Sequence, residues 1–162
     1  MFVKAAPAAP ARTDASQKIA VLYAAILAAF TVAQLFTFED FIELLPSFGL
    51  PLHDVVVAAL PATLIACQLF AIPFLLRMWL SPAFRWISML AGWLAALLWV
   101  VISVWVVSTG GNGAETVGFL GTAVDLVPGW WSVLVAISLA IVAAWSSWGL
   151  WPNRSSKKVV EK

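Results

Sequence analysis

Polar side chains are scarce in this chain, so those set inside long apolar runs draw attention first. Gln68 lies near the middle of one such run, beside the only cysteine, Cys67. A side-chain amide at that depth costs free energy unless it is hydrogen-bonded. One reading is an interhelical hydrogen bond, with Gln34, Thr31 or Ser103 as candidate partners. The other is contact with a quinone-like or lipid ligand. Cys67 reads as a small buried hydrophobe, because it has no CxxC partner and no second cysteine to pair with. With a single histidine, His53, and no zinc-type spacing, no metal site is expected. His53 and Asp54 stand where an apolar run begins. Asp54 there reads as a helix N-cap, and a proton-relay pair is the sharper alternative. Glu39, Asp40 and Glu43 read as the solvated face of a short helix, with general acids or a cation site as the alternative. No nucleophile–base pair or nucleotide motif is present, so no catalytic residue is assigned.

Arg77 and Arg85 flank a Ser81-Pro82 turn between two apolar runs. They read as topology anchors that reach lipid headgroups. A site for an anionic lipid, or for a partner's acidic patch, is the other possibility.

These residues need elements to position them, and composition says what kind. Over 162 residues, 63% are apolar and only 10% charged, and the mean hydropathy is +0.99. Soluble domains carry roughly 25% charged residues. A net charge of +1 gives no electrostatic footprint for nucleic acid. Ten tryptophans suit a protein anchored at membrane interfaces.

The expected architecture is all-α: an integral membrane four-helix bundle in one domain. Residues 1–17, rich in Ala and Pro, read as a disordered cytoplasmic tail. The four spans are placed at about residues 18–38, 54–80, 82–107 and 130–151, each long enough for a hydrocarbon core of about 30 Å. Leu27, Thr31, Gln34 and Phe38 share one face of the first span, which should turn toward the bundle. Residues 39–53 read as the first outer connection, whose pattern suits a short amphipathic helix lying in the interface and ended by Pro46, Gly49 and Pro51. Its aromatic face, Phe36, Phe38, Phe41 and Phe48, is expected to contact membrane. Pro61 and Pro73 should kink the second span. Ser88, Gly92, Ala95, Trp99 and Ser103 form a face on the third span where another backbone can come close. In the second outer loop, residues 117–126 could form a short interfacial helix. Residues 152–162 read as a basic cytoplasmic tail.

Charge sets the orientation. All nine Lys and Arg residues (Lys4, Arg12, Lys18, Arg77, Arg85, Arg154, Lys157, Lys158 and Lys162) fall on one side of this arrangement. Six of the eight acids fall on the other. By the positive-inside rule both termini are cytoplasmic.

Several short motifs resemble the DoxX/MauE-like family of small four-helix bacterial membrane proteins. They are Phe48-Gly49-Leu50-Pro51, Cys67-Gln68-Leu69-Phe70, the run Pro73 to Arg77, and Leu80-Ser81-Pro82 with Arg85. The resemblance runs from about residue 19 to residue 105. It implies a redox-associated accessory subunit of the bacterial inner (plasma) membrane. Such a subunit would contact a quinone or an oxidoreductase or other membrane-complex partner, as well as membrane lipids. Relatives of this type are linked to quinone-coupled oxidation or to maturation of a quinone-cofactor enzyme. This chain departs from the pattern at Gln68, where the family often carries a glutamate, and an amide does not titrate. Its single cysteine also argues against disulfide exchange by the chain itself. A structural or interaction protein without chemistry is the alternative. A small-solute transporter is weaker, because the ionisable residues lie near the interfaces and not along a path through the core.

Overall fold

A computed structural model describes residues 8, 10–110 and 116–151, and among these the chain is all-helical. Five helices follow in order: α1 (Asp14–Phe36), α2 (Phe38–Ser47), α3 (Asp54–Leu75), α4 (Pro82–Ser108) and α5 (Trp130–Leu150). All except α2 are long and apolar enough to cross a membrane. Around the bundle α1 packs on α3, α3 on α4, α4 on α5, and α5 back on α1. Tyr23 reaches across the centre, donating its hydroxyl to Gly92 O at 2.9 Å.

Helix α1 starts earlier than residue 18, so residues 14–17 belong to a helix and not to a tail. The reason is local. Thr13 Oγ1 accepts from the Ser16 N–H at 3.1 Å, and Ser16 Oγ accepts from the Thr13 N–H at 3.3 Å, a reciprocal cap that satisfies two otherwise unpaired donors. Ser16 is then buried beneath Gly149 of α5, where any Cβ would collide with it. The Arg12 N–H donates to Gly149 O at 2.9 Å, tying the segment before α1 to the end of α5. The expected basic tail, residues 152–162, lies outside the described residues.

At the other end α1 stops at Phe36, and the chain turns at Thr37 into α2. Phe41 and Leu45 of α2, with Phe48 just beyond it, are buried in the protein core, not set against membrane as expected. Their helical spacing places them on the side that packs against α3. Phe36 alone of the four aromatics is strongly exposed, at 87%. Trp105 of α4 donates its indole N–H to Phe48 O at 3.1 Å and holds this segment in place.

Helix α3 ends at Leu75, five residues before the expected boundary at residue 80. A Schellman motif closes it: the Met78 N–H bonds Pro73 O and the Arg77 N–H bonds Phe74 O. Arg77 occupies the left-handed position at φ 56°, where glycine is usual. Ser81 then caps α4 by accepting from the Phe84 N–H at 3.2 Å, with Pro82 in the first turn. Between the two helices Ser88 enters the backbone ladder of α3. Its hydroxyl accepts from the Phe74 N–H at 3.1 Å and donates to Phe70 O, beside the proline that cannot donate at position 73.

The topology gathers Arg12, Lys18, Arg77 and Arg85 at one end of the bundle. Glu39, Asp40, Glu43, Asp54 and Asp125 lie at the other.

Candidate functional site

The helical period places Thr31 and Gln34 on the inward face of α1, three residues apart, and Trp99 and Ser103 on the inward face of α4, four apart. Gln68 faces them from α3. All five are buried in the core; Gln34, Gln68, Trp99 and Ser103 are each 0% exposed. Of the three candidate partners for Gln68, the structure selects Thr31, whose hydroxyl donates to Gln68 Oε1 at 2.9 Å. Gln34 instead donates its amide to Phe119 O at 2.9 Å.

These bonds leave several buried polar atoms unsatisfied. Gln68 Nε2, Gln34 Oε1, Trp99 Nε1 and Ser103 Oγ have no hydrogen-bond partner among the described residues. Their order along the bundle follows from helix pairing. Gly92 lies opposite Ala71, its Cβ position 3.3 Å from Ala71 Cβ. Gln68 is therefore about one turn from the level of Trp99 and about two from Ser103. The open groups form a file rising from mid-bundle toward the end that carries α2. Two amide or indole donors, one amide acceptor and one hydroxyl compose it, and none of them ionises near neutral pH.

The cover of this file comes from residues 116–128, where sequence reasoning had placed a short interfacial helix over residues 117–126. No helix forms there. Gly118 and Gly121 adopt φ 82° and 62°, which breaks any helix and turns the chain inward on both sides of Phe119. Phe119 is 2% exposed, with its ring centroid 4.7 Å from that of Trp99 and 5.6 Å from that of Phe30. The Thr122 N–H donates to Thr37 Oγ1 at 3.1 Å, and the Val117 N–H donates to Leu126 O at 2.9 Å. A Cβ at Gly121 would collide with Thr37 Oγ1, so the close approach requires glycine. Phe119 was missed because an isolated aromatic in a glycine-containing loop has no periodicity. The flanking glycines were the only hint.

The remaining candidates stand apart. Cys67 is a half-buried free thiol, one residue and so about 100° around the helix from Gln68. The N-cap of α3 is His53 and not Asp54: His53 Nδ1 accepts from the Val55 N–H at 3.4 Å, and Asp54 takes the first helical position. Arg77 and Arg85 share a small notch with Phe74, Met78, Leu80 and Leu150, and Arg77 Nη1 donates to Gln17 Oε1 at 3.0 Å.

Four apolar helices of spanning length define the class: a multi-pass membrane helical bundle. Comparison of the chain with protein-family models, curated proteins and solved structures finds no match.

Proposed function

We propose that this protein is a redox-associated accessory subunit of a bacterial inner-membrane complex, as its resemblance to DoxX/MauE-like proteins implies. Both termini lie in the cytoplasm, and α2 rests at the outer interface. The concentration of Arg12, Lys18, Arg77 and Arg85 at one end supports that orientation. In this reading the chain holds a quinone-class ligand against the buried file, and an oxidoreductase partner performs the chemistry.

The observation that carries the reading is the pair of open, fully buried donors, Gln68 Nε2 and Trp99 Nε1. A buried donor without a partner costs about 1–3 kcal/mol, which a ligand acceptor oxygen would recover. The two donors sit about one turn apart on adjacent helices, which suits acceptor oxygens on opposite sides of one ring. Phe30, Trp99 and Phe119 offer aromatic faces beside them. A bound quinone would supply reversible electron and proton uptake. The chain's own groups orient it and exclude water: the Gln68 amide donates a hydrogen bond but moves no proton, and Phe119 closes the outer side. Proton and electron transfer therefore belong to the partner.

The test is to purify the full chain from its own membranes and measure co-extracted quinone per chain. Stoichiometric quinone in the wild type, falling about tenfold in Gln68→Leu and in Trp99→Phe, is expected from the loss of one buried bond. Quinone no higher than in a lipid-matched control, or undiminished in Gln68→Leu, refutes the reading.

A second reading is a structural or interaction protein whose polar file serves packing alone. The neutral core and the close helix contacts at Gly92 and Gly149 favour it. Its signature is a ligand-free protein indifferent to substitution at Gln68 and Cys67.

A further inference from the structure

A second site lies on the outside of the bundle. Ile141, Ala144, Trp145 and Trp148 follow the i, i+3, i+4, i+7 spacing that makes one stripe along α5. Between them is a groove of about 500 Å³. Ala144, Ile141 and the two indoles line it. Trp145 and Trp148 are about half exposed, so nothing within the bundle covers the stripe.

One end of the groove carries a cation. The Arg12 guanidinium lies 4.9 Å from the centroid of the Trp148 ring. Its backbone is pinned to the last turn of α5 by the bond to Gly149 O. Stacking on an indole uses the flat face of a guanidinium and leaves its edge N–H groups directed outward. Those are the groups that bind a phosphate in a bidentate manner. Ile141 lies about 10 Å along the helix from Trp148, away from the charge.

We propose that this groove binds one anionic phospholipid, with an acyl chain over Ala144 and the phosphate on Arg12. An apolar channel with a cation at one mouth, at the level of interfacial tryptophans, matches an amphiphile with a negative head. A second copy of the chain fits less well. Among the described residues, the only acid at this end of the bundle is Asp14, which lines a separate cleft with Gln17, Lys18 and Val21. Among the described residues, Asp14 in that cleft is therefore the one carboxylate that parallel packing of two copies could offer Arg12, and it does not line the groove.

The experiment places the full chain in nanodiscs holding phosphatidylglycerol and phosphatidylcholine in equal amounts and measures retained lipid by native mass spectrometry. The wild type should retain phosphatidylglycerol in preference to phosphatidylcholine. Arg12→Gln should lower that preference about tenfold, as expected for one charge-assisted contact. Ala144→Leu, which adds bulk to the groove lining, should lower retention of both lipids. Lys18→Gln, in the separate cleft, should change neither. Three results overturn the proposal: no change in Arg12→Gln and Ala144→Leu, an equal loss in Lys18→Gln, or a change of oligomeric mass in Ala144→Leu. The last would make the groove an interface between copies. All three positions are exposed or lie at the groove surface, and an unchanged thermal unfolding transition in each variant checks the fold.

Discussion

Thr31 and Gln68 meet across the α1–α3 interface through one hydrogen bond of 2.9 Å, and the amide's own donor is left without a partner among the described residues. The bond is asymmetric, so the two ways of breaking it should differ. Thr31→Val strips Gln68 of its remaining bond and leaves a wholly unsatisfied amide in the core, at a cost of about 1–3 kcal/mol. Gln68→Leu removes the open donor as well. Thr31 can then turn its hydroxyl onto the carbonyl four residues earlier, so the cost should stay below about 1 kcal/mol. Equilibrium unfolding of both variants in mild detergent checks the order. A Gln68→Leu variant less stable than Thr31→Val would show that Gln68 makes further bonds.

Ser88 bonds the α3 backbone beside Pro73, accepting from the Phe74 N–H and donating to Phe70 O. Ser88→Ala should leave both backbone groups unpaired and cost about 1–2 kcal/mol, within the range for interhelical bonds in membranes. Amide hydrogen exchange should rise locally at Phe74, and exchange elsewhere in α3 should stay as in the wild type.

Arg77 holds a left-handed backbone conformation at the close of α3 and donates to Gln17. Arg77→Ala keeps the backbone strain and loses the side-chain bond. Arg77→Gly loses the same bond but relieves the strain, which is worth about 1 kcal/mol. The glycine variant should therefore be the more stable of the two. Equal stabilities would mean that the left-handed turn carries no strain.

Phe119 closes the outer side of the buried file. Phe119→Ala should destabilise the protein by about 3 kcal/mol or more, as for other buried aromatics. Exchange of the amides between residues 116 and 126 should rise sharply while that of α3 changes little. Unchanged protection there would mean the segment is held by its hydrogen bonds alone, to Thr37 and between Val117 and Leu126.

The spanning helices were legible because hydropathy over some twenty residues is a local property, and so was the segregation of basic residues to one end. Gln68 was recognisable as a buried polar group for the same reason. The choice of Thr31 over Gln34 and Ser103 was not, since all three lie on inward faces and only the axial register of the helices separates them.

The sequence by itself therefore determined which segments cross and which of their side chains are out of place in lipid. Tertiary structure decided which apolar side chains meet protein and which meet lipid. An apolar side chain suits protein and lipid alike, so hydropathy does not say which of the two Phe41, buried against α3, or Phe36, exposed, will meet. Only the packing of α2 on α3, and the inward turn of two glycines around Phe119, settled those positions.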